Sequence, residues 1–351
     1  MRTPVTLQSI ADRVGVSRMT VSNAFSRPEK LSAELRQRIL AVAEELGYVG
    51  PDPSARALAR GRTGTVGLLL TDRLGEAFRD VTATGFLAAV ADELSARSLS
   101  MTLITAGGEG DLVPARDVPV DGALVYVCQK DSPDVAWLVK RGLPLVTVDQ
   151  ETMAGTPSVN VDDRAGARAA AQHLVDLGHQ RVGIVNLQPD AAPAADPEHL
   201  EAVSNPPAAE RNRGWRDALV AAGVEPVTAL AAFRPDGAAY QAALGLLDRP
   251  DRPTGLVCFS DGFAVQAIRA GESLGLRVPE DLSVVGFDDS PLATSMRPAL
   301  TTVRQPIAEK GRLAVRALLS LMAEEAPSED RVVLPTELVV RDSTAPAPAR
   351  A

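Results

Sequence analysis

The chain is poor in several things that functional sites are usually built from. Aromatic residues make up only 3% of its 351 residues, so the stacking platforms common in carbohydrate sites are thin here. Two cysteines, Cys128 and Cys258, lie far apart. They form neither a disulfide framework nor a metal-ligand spacing, which points to a reducing cytoplasm and to no bound metal. No apolar run has the length of a signal peptide or a membrane span, and the chain is expected to stay in the cytoplasm, away from membranes.

Catalytic signatures are missing as well. There is no GxxxxGK[ST] and no GxSxG. The glycine-rich "AGGEG" lacks the GxGxxG spacing and is followed by charge and proline rather than a helix. Asp288 and Asp289 are adjacent, so in extended chain they face opposite sides and make no working carboxylate pair. No catalytic residue and no cofactor is expected.

Charge is present but unevenly placed. Residues 1 to 62 hold ten Lys/Arg against six Asp/Glu, a balance of +4, while the remainder holds 26 against 39, a balance of -13. A basic head on an acidic body suits a DNA-binding module joined to something that should avoid DNA.

The head opens with "TLQSIADRVGVSRMTVSNAF". Thr6 can cap a helix over Leu7 to Val14 whose apolar side is Leu7, Ile10, Ala11 and Val14. Gly15 supplies the turn, and Ser17 can cap a second helix with Val21, Ala24 and Phe25 inward. Arg18, Met19, Ser22 and Asn23 fall on the opposite side. A third helix starts after Ser32, with Glu34 in its first turn, and stops before Gly47. Three short helices with one polar reading face follow helix-turn-helix logic. A small bundle that touches only protein fits the same pattern.

Next comes "GPDPSARALARGRTG". Asp52 before Pro53 reads as a cap with proline at the first helical position, and Ser54 to Arg60 can make about two turns before Gly61. So short a helix needs a partner or a DNA surface to form. A flexible linker is the alternative.

From Thr65 onward, apolar runs such as "TVGLLL", "SMTLIT", "GALVYV", "LVTVD", "RVGIVNL", "GLVCF" and "SVVGFDD" alternate with amphipathic helices. These include one ending at Leu177, one over Glu210 to Ala222 and one ending at Leu274. That is a doubly wound α/β body of parallel sheets, in two similar halves with the break near Asn160. Gln188 to Glu210 reads as a long Pro/Ala-rich loop, and "STAPAPARA" at the end reads as disordered.

Residues 4 to 61 resemble the headpiece and hinge of the lac-repressor/galactose-repressor family of bacterial transcription regulators. The family pattern is present as Thr6-Leu7, Ile10-Ala11, Gly15-Val16-Ser17 and Thr20-Val21-Ser22. The resemblance continues through the body in "VDGALVYV", "HLVDLGHQRVGIV", "RNRG", "FSD" and "GFDD". It implies a three-helix headpiece (1 to 50), a hinge helix and linker (51 to 62) and an effector-binding and dimerisation domain (63 to 345). That domain resembles periplasmic binding proteins, with a crossover near 290 to 325.

The same resemblance implies a homodimer on a pseudo-palindromic duplex. Thr6, Ser17, Arg18, Met19, Thr20, Ser22 and Asn23 come from the headpiece, and Ala55, Arg56 and Leu58 from a hinge that enters the minor groove. Arg18 suits guanine, Met19 a thymine methyl, and Asn23 a further base edge, while Ser17, Thr20 and Ser22 hold phosphates. Leu58 would wedge a base step. Asp52 replaces the usual asparagine and would serve as a cap.

A small-molecule effector, a sugar or sugar derivative, is implied between the halves at Arg211, Asp288, Ser260 and Asp149, with Phe78 and Phe233 as apolar walls. Ser260 is shorter than the common asparagine. Each has a plainer reading: Arg211 as a cap or a partner of Glu210, Asp288 as a turn acceptor. His173 and His179 read as packing and turn residues, and Trp215 and Phe287 as core. A co-repressor-dependent regulator or activator answering to a nucleobase or nucleoside is the alternative. A cytosolic solute-binding protein without a DNA role is another.

Overall fold

The computed structural model describes residues 5–50, 52–70, 74–105, 111–127, 132–150, 152–188, 205–233 and 237–349. It divides into two compact units, 1–64 and 65–351.

In the first unit, α1 (Leu7–Val14) is capped by Thr6, whose side chain accepts from the Ser9 amide while Ser9 returns a bond to the Thr6 amide. Such reciprocal capping satisfies two of the donors a helix start leaves open. Gly15 ends the helix at φ +78°, a conformation that L side chains rarely adopt. The turn delivers Ser17, which caps α2 (Arg18–Ser26) by accepting from the Thr20 amide at 3.1 Å. After a single 3-10 turn, Ser32 caps α3 (Ala33–Glu45) in the same manner. Ile10, Ala11, Val14, Val21, Ala24, Ile39 and Ala43 form the core, and Phe25 meets Tyr48 edge-on at 5.6 Å. Phe25 is half-buried and packs against this core. Asp52 caps the short α4 (Pro53–Arg60) through the Ala55 amide at 2.9 Å, and Gly61 closes it at φ +68°.

The second unit is built on two six-stranded sheets. Its elements are β1 (Thr65–Leu70), α5 (Leu74–Ala77), α6 (Val81–Ser95), β2 (Ser100–Thr105), α7 (Pro114–Asp117), β3 (Gly122–Tyr126), α8 (Pro133–Lys140), β4 (Leu145–Val148) and β5 (Ser158–Val161). Then come α9 (Asp163–Asp176), β6 (Val182–Leu187), α10 (Pro206–Ala221), β7 (Val227–Ala231), α11 (Ala238–Leu247), β8 (Gly255–Cys258) and α12 (Asp261–Ser273). The chain finishes with β9 (Ser283–Asp288), α13 (Pro291–Ser295), β10 (Thr301–Arg304), α14 (Ile307–Met322), β11 (Arg331–Leu334) and β12 (Glu337–Val339).

Strand order is β11-β5-β4-β3-β1-β2 in one sheet and β12-β10-β9-β8-β6-β7 in the other. Among the described residues all pairings are parallel except β10 with β12. The central strands β3, β6 and β9 are buried along their whole length, as strands covered by helices on both faces must be. The chain passes from one half to the other between β5 and α9, between β10 and α14, and between β11 and β12. Helix α14 therefore packs against α6 and the first sheet, although it follows β10 of the second.

Three expectations need correcting. Helix α10 begins at Pro206, not Glu210, because Asn205 caps it with proline in the first turn; residues 189–204 of the expected loop lie outside the described residues. The tail is docked by hydrogen bonds as far as Ala347. Ser343 Oγ donates to the Val284 carbonyl and accepts from the Thr301 amide, and the Ala345 and Ala347 amides donate to Ser283 Oγ and the Leu177 carbonyl. Small residues and prolines let this extended segment lie against free backbone groups without a core of its own. Finally, β5, β7, β10, β11 and β12 are short strands that the pattern of apolar runs does not mark.

His179 is buried and bridges Thr254 Oγ1, Ser283 Oγ and the Ala345 carbonyl, while His173 meets Thr344. Trp215, Phe287 and Cys258 are buried. Cys128 and the "AGGEG" run lie outside the described residues. Among the described residues no helix is long and apolar enough to cross a membrane, and no group of three or more His, Cys, Asp or Glu is placed to hold a metal ion.

Candidate functional site

The headpiece presents one face of α2 to solvent. Because Val21 and Ala24 turn inward, Arg18 and Met19 project outward, Met19 with 69% of its surface exposed. An exposed methionine at the start of a helix contributes nothing to the core behind it. Ser22 and Asn23 lie half-buried along the same helix, and the hydroxyls of Ser17 and Thr20 share a 2.8 Å bond at its head. The amides of this first turn, with the helix dipole behind them, make a natural seat for phosphate. On α4, Ala55, Arg56 and Leu58 are exposed, Leu58 at 86%. Thr6 is exposed and engaged in its capping box.

The second constellation lies at the carboxyl ends of the strands, where ligands of doubly wound folds sit. A cavity of about 380 Å³ is lined from the first half by Arg79, Asp80 and Thr82, and from the second by Phe233, Ser260, Asp261 and Asp288, among others. Ser260 also caps α12 through the Phe263 amide. Phe78 is not among the lining residues. It stands 57% exposed in the turn after α5, whose last residue Ala77 is the one that points inward.

Arg211 stands behind this cavity. Its α10 lies tightly on α9 because residue 214 is glycine: a Cβ there would come within 2.2 Å of the Arg164 carbonyl oxygen. Packed so closely, Arg211 donates from Nε to Asp163 at 2.7 Å and from Nη1 to the Phe259 carbonyl, with Asp288 3.5 Å away. Its guanidinium lies 3.6 Å over the Phe287 ring. Glu210 pairs with Arg213 instead.

Asp149 opens on a neighbouring recess of about 390 Å³ with Asp163 and Glu210. It is joined to Lys310 of α14, which has no exposed surface. Lys310 also donates to Gln305 Oε1 at 2.9 Å, and Gln305 donates to Asp288 at 2.7 Å. Arg211 and Lys310 thus stand among five carboxylates, those of Asp80, Asp149, Asp163, Asp261 and Asp288.

Burial dominates the electrostatics of the group. It pushes the Asp288 carboxyl up to about 7, with Arg211 opposing and Asp261 and Asp80 adding to the rise. Asp261 and Asp163 are pushed up to about 6, again chiefly by burial, and Asp80 is raised for the same reason. Asp261 is held by the Ser290 amide and by Thr302.

Sequence reasoning passed over Asp80, Asp163, Asp261, Gln305 and Lys310. Lys310 had a signal: it is in phase with Ala314 and Leu318 on the buried stripe of α14. Asp80, an N-cap, also announced itself as the polar residue before an apolar run.

Residues 6–51 match the model for bacterial regulatory proteins of the lacI family, and residues 171–344 match the periplasmic binding protein-like domain. The HTH-type transcriptional regulator IpsA of Corynebacterium glutamicum is 37% identical over 331 residues, covering 91% of this chain and 92% of its own. The chain belongs to the LacI family. Among solved structures, this regulator superposes on the lac repressor dimer bound to operator and the anti-inducer ONPF with a TM-score of 0.79 at 26% identity, covering 98% of this chain and 100% of that one. It superposes on the CelR–cellobiose complex with a TM-score of 0.67 at 29% identity, covering 97% and 100%. LacI-family membership makes it a transcriptional regulator with a DNA-binding head and a periplasmic-binding-protein-like body.

Proposed function

We propose that this LacI-family regulator is a cytoplasmic repressor that grips a pseudo-palindromic operator as a homodimer and is controlled by a sugar or sugar derivative held in the acidic cleft. The observation that carries the reading is the outward face of α2, with Arg18 and Met19 exposed on a helix whose opposite side closes the headpiece core. Arg18 suits bidentate contact with guanine O6 and N7, Met19 a thymine methyl and Asn23 another base edge. Thr6, Ser17, Thr20 and Ser22 hold phosphates. Ala55, Arg56 and Leu58 act from the hinge, with Leu58 as the wedge. Residues 1–50, 51–62 and 63–345 serve as headpiece, hinge and effector-binding, dimer-forming body.

In the cleft, Asp288 and Asp149 accept hydroxyl donors, Ser260 completes the polar rim with Arg211 held behind it, and Phe233 supplies an apolar wall. The operator-bound lac repressor and cellobiose-bound CelR, both of this fold, support the assignment. A coupling of ~1–3 kcal/mol between cleft and head changes operator affinity 5- to 150-fold.

The test is selection of bound sites from a random duplex pool at fixed salt, with and without cellobiose as the probe. A near-palindromic motif with a central CG step is the expected result. No enriched motif overturns the DNA reading, and an enriched motif without two-fold repetition overturns the homodimer.

A further inference from the structure

The cleft carries its own ammonium group. Lys310 lies wholly inside the body, its Nζ donating to Asp149 Oδ2 and to Gln305 Oε1, and Gln305 passes the connection on to Asp288. A buried lysine is costly unless it is paired and hydrogen-bonded, and here it is both. Asp149 is satisfied on one side only. Its second oxygen, Oδ1, is buried and has no hydrogen-bond partner among the described residues.

That asymmetry decides what can approach. An orphaned buried acceptor asks for a donor, and a hydroxyl group supplies one without adding charge. An ammonium group at Oδ1 would sit beside Lys310, where like charges repel strongly in a low-dielectric cleft. Phosphate fares no better, because Arg211 is already engaged by Asp163 and Asp288.

We propose that Lys310 is the specificity-determining residue of the cleft: it provides the counter-charge of Asp149 from within the protein, so the ligand seated there is an uncharged hydroxyl donor and amines are turned away. The inference deepens the effector reading of the same cleft and rests on it. The charged and titratable groups facing this pair are Asp80 from the head of α6, Tyr126 from β3, Asp163 from α9, Arg211 from α10 and Asp288 from β9.

The experiment is chemical rescue of the full-length protein, read by thermal unfolding with n-butylammonium chloride as the probe and tetramethylammonium chloride as the ionic control. Lys310→Ala leaves a lysine-shaped space beside an unpaired carboxylate. That variant is expected to bind n-butylammonium at least roughly tenfold more tightly than the wild type and to be stabilised in proportion. The Lys310→Ala/Asp149→Asn double variant is expected to show no response. Equal responses in wild type and Lys310→Ala, or none in Lys310→Ala, overturn the proposal.

If the alanine variant does not fold, Lys310→Gln takes its place and its stability is compared with that of Lys310→Gln/Asp149→Asn. With its counter-charge gone, the buried Asp149 carboxylate is a penalty that the asparagine removes, so the double variant is expected to be the more stable of the two. A double variant no more stable than the single one overturns the proposal. Neither arm uses DNA or an effector, so failure here leaves the regulator reading standing, and failure of the duplex selection leaves the charge role of Lys310 standing.

Discussion

Asp149 directly follows β4 and Asp288 closes β9, the third strand in each sheet order, and both have positive φ, at +52° and +115°. Non-glycine residues persist in that region only when their surroundings over-determine them. Here the surroundings are Lys310 and Gln305, which join the two carboxylates in one buried chain of hydrogen bonds. The halves of the body are therefore connected by a polar bridge as well as by three crossings of the backbone. Four consequences can be measured.

Arg18→Ala removes the side chain best suited to a base edge while leaving the core of α2 untouched. Its expected cost is about 1–3 kcal/mol on the selected duplex, with preference relaxed at one base pair. Fluorescence anisotropy on the duplex and its single-base variants measures both. An unchanged base spectrum removes Arg18 from the reading surface.

Leu58→Ala deletes an exposed apolar side chain from α4. If Leu58 wedges a base step, specific binding falls far more than binding to random duplex, because only the deformed site uses the wedge. Equal losses in the two titrations refute the wedge.

Asp288→Asn tests the electrostatics of the cleft. With its carboxyl pushed up to about 7 in the folded protein, this residue favours folding fully at pH values below its unfolded range near 4. That contribution is lost as pH rises through about 7. The asparagine variant keeps an acceptor for Gln305 and carries no charge. It is expected to match wild type near pH 4 and to be the more stable of the two at pH 8. The gain is up to ~4 kcal/mol, since each tenfold difference in proton affinity between folded and unfolded chain is worth about 1.4 kcal/mol. Denaturant unfolding at the two pH values gives the comparison; a constant difference contradicts the assignment.

Gly214→Ala places a methyl group where the Arg164 carbonyl oxygen and Ala167 Cβ already are, at 2.2 and 2.9 Å. Helices α9 and α10 must separate, at a cost of about 1–3 kcal/mol or more, and Arg211 is drawn away from Asp163. A clear fall in melting temperature is expected, and a variant as stable as wild type would show that α10 has room to move.

The headpiece was legible in the sequence because its determinants are local. Thr6, Gly15, Ser17, Ser32 and Asp52 act within four residues of themselves as caps or turns, and the 3.6-residue rhythm of Ile10, Ala11 and Val14 marks a face without reference to anything distant. The long buried strands were legible for a similar reason, since burial on both faces leaves an unbroken apolar run. Short strands such as β11 and β12 carry no such run: "RVVL" and "ELV" become strands only because β5 and β10 offer them an edge.

The cleft was decided by tertiary structure. Motif order nominated Arg211, Ser260 and Asp288, but nothing near them in the chain names Asp163 or Lys310 as partners. Lys310 lies 161 residues from Asp149. Whether a buried charge is a penalty or a bridge depends on what the fold brings within hydrogen-bond reach, and sequence spacing alone does not hold that information. Local propensity and periodicity therefore determined the elements and the exposed face of α2. Long-range packing of two sheets, crossed three times by the chain, determined which carboxylates meet which cations.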